Sequence, residues 1–362
     1  MSARPVLIMA GGTGGHVFPG LAVAEVLRRR AVPVCWLGTA TGLEARVVPT
    51  AGITLHHLDI RGLRGSGWRR WLGAPLVLSR ALWQAWRVLA RVRPAVVLSM
   101  GGFAAGPGGL MAWLLRYPLV IHEQNAIPGL TNRILARLGG QVLCAFDNTF
   151  PAATRARVIG NPVRADIAAL TAPEARLRAR QGDAVRLLIL GGSQGARSIN
   201  QLVPEALRRL ERTGEVKVLH QCGQAHIDEA REAWRDFPGE VEVVPFIEDM
   251  AAAYAAADVV LARSGALTVA ELCAAGVPAV LVPFPHAVDD HQTHNAAPLV
   301  AAGAALLLPQ SELTATRLAE TLQPLFADAG RRLAMARAGR KLARPQAADE
   351  LADALMQTGG VR

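Results

Sequence analysis

Two glycine-rich turns constrain this chain more than any other feature. The apolar run Val6-Leu7-Ile8-Met9 leads into Gly11-Gly12-Thr13-Gly14-Gly15-His16, and a helical pattern with Pro19 near its start continues through Arg30. About half a chain later, Val185–Leu190 leads into Gly191-Gly192-Ser193-Gln194-Gly195-Ala196 and a helical pattern over 199–210. Strand, glycine turn and helix together bare backbone N–H groups at a helix N-terminus, where aligned peptide dipoles favour an anion or a polarised oxygen. Repetition of the device in 362 residues predicts two similar α/β domains, each large enough to bury a core.

The remaining apolar runs fit this division. In the first half, strands are expected at 6–9, 32–37, 95–99, 119–122, 141–145 and 157–159, and in the second at 186–190, 216–220, 241–244, 258–262, 279–282 and 304–308. Helical patterns lie between most of them. Runs without polar alternation suit parallel strands buried on both faces. The turn Gly160-Asn161-Pro162-Val163-Arg164 and the charged stretch 171–183 put the boundary near 163, giving domains 1–163 and 164–344. Pro75 reads as the start of a helix, and 331–356 as a helical, alanine-rich tail. The C-terminal helix, about 345–362, is expected to pack back on the first domain.

Several classes are excluded. Cys35, Cys144, Cys222 and Cys273 are far apart, so neither a disulfide framework nor a zinc site is expected, and a reduced cytoplasm is the natural setting. The first strand starts too near the first residue for a signal peptide. The uncharged stretch 94–115 is long enough to span a bilayer, but Gly101, Gly102, Gly106, Pro107, Gly108 and Gly109 interrupt it. Strand, glycine loop and helix is the expected reading there.

Charge placement is more informative than the net charge of +10. From Arg61 to His122 there is no Asp or Glu, while nine arginines, among them Arg69, Arg70, Arg80 and Arg87, fall there with five of the seven tryptophans. Indole suits a membrane interface and guanidinium meets lipid phosphate. Leu76, Trp83, Trp86 and Trp113, with Arg69, Arg70, Arg80 and Arg87, are therefore candidate contacts to an anionic membrane surface. The alternative is a solvated basic face over buried tryptophans.

Neither glycine turn has the G-x-G-x-x-G spacing of a nicotinamide site, and neither second strand ends in an acid for the ribose. A phosphate loop of the G-x-x-x-x-G-K-[ST] type is also missing. Arg263-Ser264-Gly265-Ala266-Leu267-Thr268-Val269-Ala270-Glu271 is more specific. Its small residues open a helix whose free N–H groups suit a diphosphate, and Glu271 two turns in could take both ribose hydroxyls. The alternative for Glu271 is an acid favoured by the helix dipole. The cluster Asp289 to Asn295 follows no familiar zinc spacing, and no D-x-D sequence occurs to bridge a metal to a diphosphate.

Taken in order, the first glycine turn, His122-Glu123-Gln124-Asn125, Gly160 to Arg164, the second glycine turn, Ser264 to Glu271, and Asp290-His291-Gln292-Thr293 with Asn295-Ala296 resemble the MurG family over nearly the whole chain. The resemblance implies a GT-B fold, two Rossmann-like parallel-sheet domains facing across a cleft. It implies inverting transfer of N-acetylglucosamine (GlcNAc) from UDP-GlcNAc to the C4 hydroxyl of N-acetylmuramic acid (MurNAc). That acceptor belongs to undecaprenyl-pyrophosphoryl-MurNAc-pentapeptide (lipid I), and the product is lipid II of peptidoglycan synthesis. By position, Ser193, Ile247, Ala266, Leu267, Thr268, Val269, Ala270, Glu271 and Gln292 would hold the donor, with Thr13, Gly14, Gly15, Asn125 and Arg164 completing its contacts. Gly14, Gly15, Gly101 and Gly102 would face the acceptor pyrophosphate. His16 is the candidate general base, since imidazole titrates near about 6.5; it could instead only hydrogen-bond the loop or acceptor, and Glu123 is the alternative base. The implied location is peripheral, on the cytoplasmic face of the inner membrane. The implied partners are UDP-GlcNAc, lipid I, an anionic membrane surface and other cell-wall synthesis proteins, with no nucleic acid. No cofactor or metal is required by this reading, and a divalent cation stays open. Two other readings compete: a GT-B enzyme with a small soluble acceptor or a UDP-sugar epimerase, and a non-catalytic nucleotide or nucleic-acid binder.

Overall fold

The computed structural model describes residues 4–60, 68–179, 184–192, 195–210, 216–285 and 288–361. The chain divides into two compact units, one of 1–164 with 345–362 and one of 165–344.

The first unit is built on a seven-stranded parallel sheet: β1 (Val6–Met9), β2 (Val34–Thr39), β3 (Thr54–Leu58), β4 (Val96–Ser99), β5 (Leu119–Glu123), β6 (Gln141–Cys144) and β7 (Arg157–Val158). Their spatial order is β3-β2-β1-β4-β5-β6-β7, with Val6 opposite both Val34 and Val96. The helices are α1 (Gly14–Arg29), α2 (Glu44–Thr50), α3 (Trp68–Val92), α4 (Ala105–Leu114) and α5 (Leu130–Leu138). Sheet residues such as Ile8, Trp36 and Leu98 are fully buried, and Trp36 Nε1–H donates to Ala10 O at 2.8 Å, which satisfies its only polar atom.

The second unit repeats the plan with six strands: β8 (Val185–Leu190), β9 (Val216–Gln221), β10 (Glu240–Val244), β11 (Val259–Ala262), β12 (Ala279–Leu281) and β13 (Ala305–Leu307). Their order is β10-β9-β8-β11-β12-β13, again all parallel. Its helices are α6 (Ala165–Ala168), α7 (Pro173–Ala179), α8 (Arg197–Arg208), α9 (Ile227–Ala233), α10 (Met250–Ala256), α11 (Ala266–Ala275), α12 (His291–Ala301), α13 (Ala315–Ala327) and α14 (Ala329–Leu342). The last helix, α15 (Ala347–Gly359), buries Leu351, Ala352 and Leu355 in the core of the first unit.

Three expectations need correction. A strand at 54–58 was not foreseen, because Thr54-Leu55-His56-His57-Leu58 is an edge strand with only Leu58 buried and so carries no apolar run. Pro75 lies inside α3 and does not open it; Pro19, Pro204, Pro298 and Pro324 also lie within helices, whereas Pro173 does open α7, so proline alone does not fix a helix start in this chain. The tail at 331–356 is two helices, divided ahead of Pro345, with α14 in the second unit and α15 in the first. The stretch 94–115 forms β4, a glycine loop and α4, and no helix among the described residues is long and apolar enough to cross a membrane.

Candidate active site

In each unit the strand order reverses between the first strand and its neighbour, and ligands of open parallel sheets bind outside the strand ends at such a point. In the first unit that point lies between β1 and β4. The glycine turn after β1 leads into α1, capped by Thr13 in an extended conformation with no side-chain bond to the helix N–H groups. The His16 N–H turns back to the Thr13 carbonyl at 3.1 Å, and the N–H groups of Gly14 and Gly15 take no side-chain cap from Thr13. Thr13 Oγ1 lies 3.3 Å from His16 Nδ1. Gly101 and Gly102, after β4, have φ of +91° and +86°. A Cβ on Gly102 would strike the carbonyl oxygen of Gly11, so the two loops pack backbone to backbone. A Cβ on Gly101 would lie 3.2 Å from His16 Nε2, which sets the imidazole against this second loop. His16, Gly14, Gly15, Gly101 and Gly102 thus form one group, and Arg164 stands nearby with its guanidinium 5.6 Å from the Phe18 ring on α1.

At the end of β5 the polar residues serve one another. Glu123 is 2% exposed, and its carboxylate accepts from Asn125 N at 3.0 Å, Asn125 Nδ2 at 3.1 Å, Gly129 N at 3.1 Å and Asn132 Nδ2 at 3.0 Å. Asn132, on α5, also donates to His122 O and accepts from Ser99 Oγ. His122 is fully buried: Nε2–H donates to Gly160 O at 2.9 Å and Nδ1 accepts from Gln124 Nε2 at 3.2 Å. Burial pushes its pKa down to about 4, so the ring is neutral at physiological pH. The sequence reading missed Asn132, which lies in an ordinary helical pattern and gains its role only when α5 packs on β4 and β5.

In the second unit the reversal lies between β8 and β11. Gly265 caps α11 with φ −62° and ψ 142° and has no side chain to bond the N–H groups of Ala266, Leu267 and Thr268. Glu271, one face further along, is 6% exposed, and Tyr254 OH donates to its Oε2 at 3.0 Å. Val269 is buried and Ala270 half-buried on the same helix. Ile247 is half-buried in the loop after β10. Gln292 Oε1 accepts from Phe284 N at 2.9 Å, joining the start of α12 to the loop after β12. Ser193 lies outside the described residues.

Three residues have supporting roles that the sequence reading did not assign. Arg263 donates to Val282 O, Pro283 O, Ser198 Oγ and Gln310 Oε1, and its guanidinium lies 5.5 Å from the Phe284 ring. Burial lowers its pKa to about 10, which leaves it charged near neutrality. Gln221 ties the second glycine turn to the end of β10 through Gly192 N, Gly192 O and Pro245 O. Tyr254 is fully buried on α10. All three act across elements, and although Arg263 opens the Arg263–Glu271 stretch, no local pattern marks what any of them does. Among the described residues no group of three or more His, Cys, Asp or Glu could hold a metal ion.

On the outside of the first unit, α3 packs beside α4 and α4 beside α5. Leu76, Trp83 and Trp86 on α3, Trp113 and Leu114 on α4, and Leu130 and Ile134 on α5 are exposed, as is Phe103 before α4. Arg87 stacks on the Trp83 ring at 4.7 Å, whereas Arg80 is paired with Asp59 at 2.6 Å. The side chains of Arg69 and Arg70 lie outside the described residues.

Two Rossmann-like parallel-sheet units in one chain, each with a glycine turn at its reversal point, are the architecture of the GT-B class of sugar-nucleotide enzymes. Residues 6–143 match the glycosyltransferase family 28 N-terminal domain and residues 186–351 the family 28 C-terminal domain. A relative from Alkalilimnicola ehrlichii is 58% identical, over 96% of this chain and 97% of that protein. One from Nitrosococcus oceani is 56% identical, over 97% and 98%. Both are named UDP-N-acetylglucosamine--N-acetylmuramyl-(pentapeptide) pyrophosphoryl-undecaprenol N-acetylglucosamine transferase. The crystal structure of Acinetobacter baumannii MurG is 39% identical with a TM-score of 0.82, over 98% of this chain and 99% of that one. A putative UDP-N-acetylglucosamine 2-epimerase from Listeria monocytogenes, 15% identical with a TM-score of 0.71 over 98% and 96%, shares the fold alone. The chain belongs to glycosyltransferase family 28 and, within it, to the MurG family.

Proposed function

We propose that this protein transfers GlcNAc from UDP-GlcNAc to the C4 hydroxyl of MurNAc in lipid I, forming lipid II. The observation that carries the reading is the first unit's site: His16 set against Gly101 beside an uncapped helix N-terminus, in a chain that matches transferases of this name over nearly its full length. The second unit binds the donor. The N–H groups of Ala266, Leu267 and Thr268 take the diphosphate, and Glu271, with Oε2 steadied by Tyr254, takes the ribose hydroxyls. Val269 and Ala270 line the same helix, Ile247 offers its backbone to uracil, Ser193 meets phosphate and Gln292 meets the sugar. Thr13, Asn125 and Arg164 complete the donor contacts.

The first unit supplies acceptor contacts and the base. Gly14, Gly15, Gly101 and Gly102 bring bare backbone to the acceptor pyrophosphate. With Nδ1–H donating to Thr13 Oγ1, His16 Nε2 takes the proton of the C4 hydroxyl. The hydroxyl oxygen attacks the anomeric carbon from the face opposite UDP; the new C–O bond forms as the bond to phosphate breaks, and UDP leaves with the electron pair. One displacement inverts the α donor to a β-1,4 linkage, with no covalent intermediate. Glu123, saturated by four N–H donors, shapes the loop around Asn125 and Gly129 and is not the base in this scheme. No step draws on a cofactor or metal.

The exposed aromatic and aliphatic face of α3, α4 and α5, with Arg87, contacts the anionic cytoplasmic leaflet that carries the lipid acceptor, making the protein peripheral there. The test is UDP release from UDP-GlcNAc and a short-chain lipid I analogue, with Glu271→Ala in parallel. Release that requires the acceptor and collapses in the variant supports the assignment. Donor binding without acceptor-dependent release would leave a GT-B enzyme with a different acceptor.

A further inference from the structure

Glu44 is a buried carboxylate for which the reaction as described has no use. It opens α2, where a glutamate ordinarily keeps its charge in water and gains under about 1 kcal/mol from the helix dipole. Here it is fully buried, and a buried anion is costly unless it is hydrogen-bonded. Its partners are three neutral donors: Oε2 accepts from Gly12 N at 3.0 Å, and Oε1 accepts from Thr39 N at 2.9 Å and Thr39 Oγ1 at 2.6 Å. Thr39 Oγ1 in turn accepts from Gly42 N at 3.2 Å. Glycines make room for it: a Cβ on Gly11 would lie 2.5 Å from Oε1, one on Gly38 would lie 2.7 Å from Cγ, and one on Gly42 would strike the carboxylate. The carboxylate therefore ties the first glycine turn to the end of β2, while Gly102 braces the same turn from the β4 side.

We propose that Glu44 is a positioning residue for glycosyl transfer, holding the first glycine turn in the form that sets His16 against Gly101. The proposal rests on the reading of that turn as the acceptor and base side of the reaction. Both carboxylate oxygens must accept. In Glu44→Gln an NH2 group faces either Gly12 N–H or Thr39 N–H, and the turn is released without loss of side-chain volume.

The experiment compares wild type, Glu44→Gln, Thr39→Val and Thr39→Ser with UDP-GlcNAc and a short-chain lipid I analogue. Rates are taken below each variant's Tm and normalised to the fraction of molecules whose first unit, which holds Glu44 and Thr39, is folded, as read from the unfolding transition that UDP does not shift, so that misfolded protein does not count. Glu44→Gln is expected to lose at least about tenfold in kcat, with the KM for UDP-GlcNAc and the Kd for UDP within about twofold of wild type. Thr39→Val should lose about threefold or more, and Thr39→Ser, which keeps the hydroxyl, should recover most of that loss. A merely structural role would lower the Tm of the first unit and leave kcat per molecule with that unit folded unchanged; that result overturns the proposal, as does a loss confined to donor KM. If Glu44→Gln does not fold, the Thr39 pair decides: equal kcat in Thr39→Val and Thr39→Ser overturns it. Absence of acceptor-dependent release by the wild type would remove the reaction itself and this inference with it.

Discussion

His16 and Glu271 hold separable parts of the proposed reaction, proton transfer and donor affinity. His16→Ala is expected to lower kcat by about 10²–10⁴-fold while leaving UDP-GlcNAc affinity unchanged, as read from initial rates and calorimetric titration. Retained turnover would remove His16 as base. Tyr254→Phe deletes the hydroxyl that donates to Glu271 Oε2 and should raise the donor KM by about three- to tenfold, roughly 1 kcal/mol. It should also narrow the preference for UDP over 2′-deoxy-UDP as inhibitor, whereas an unchanged preference would mean that Tyr254 only fills space. His16 and Glu271 were legible in the sequence because each sits in a short motif directly after a strand. Asn132, Arg263, Gln221 and Tyr254 were not, since each gains its meaning from a partner on another element. Glu123 was legible as a candidate, but only its four N–H donors explain what the carboxylate does.

At the scale of elements, each sheet carries a buried histidine, His122 on β5 and His220 on β9. Trp234 Nε1 donates to His220 Nδ1 at 2.8 Å and His220 Nε2–H donates to Asn200 Oδ1 at 2.9 Å, so this ring, like His122, is held neutral between fixed partners. Burial pushes both pKa values down to about 4. Between about 4 and 6.5 the unfolded chain binds a proton that the native ring does not, so stability is complete above about 6.5 and falls as pH drops towards 4. Each histidine should remove roughly 2 kcal/mol between pH 7 and pH 5. Urea midpoints at the two pH values measure the loss, and His220→Gln should flatten it for the second unit. A fall that is unchanged in the variant would assign it elsewhere. Most strands were readable because parallel strands buried on both faces are short apolar runs. The edge strand β3 was not, because with water on one side it needs few apolar residues.

For the molecule as a whole, α15 joins the chain's end to its first unit, where Arg30 also pairs with Asp349 at 2.8 Å. Leu351→Ala should therefore cost the first unit about 2–4 kcal/mol and leave the UDP-stabilised transition of the second unit in place, as resolved by thermal unfolding with and without UDP. A shift of the UDP-sensitive transition instead would contradict that division. The arginine and tryptophan face predicts sedimentation with anionic vesicles that weakens as salt is raised; Trp83→Ser with Trp86→Ser should weaken it further, and binding unaffected by both would point to another surface. By itself the sequence determined the doubled α/β plan, the two glycine turns, the donor helix and the family, because these are local patterns in which backbone conformation follows from a few adjacent residue types. Only the tertiary structure decided that the tail divides into α14 and α15, that His16 lies against Gly101, and that a helix-opening glutamate lies buried beneath the first turn. Those facts depend on side chains meeting from strands and helices far apart in the chain, and such meetings leave no periodicity or spacing to read.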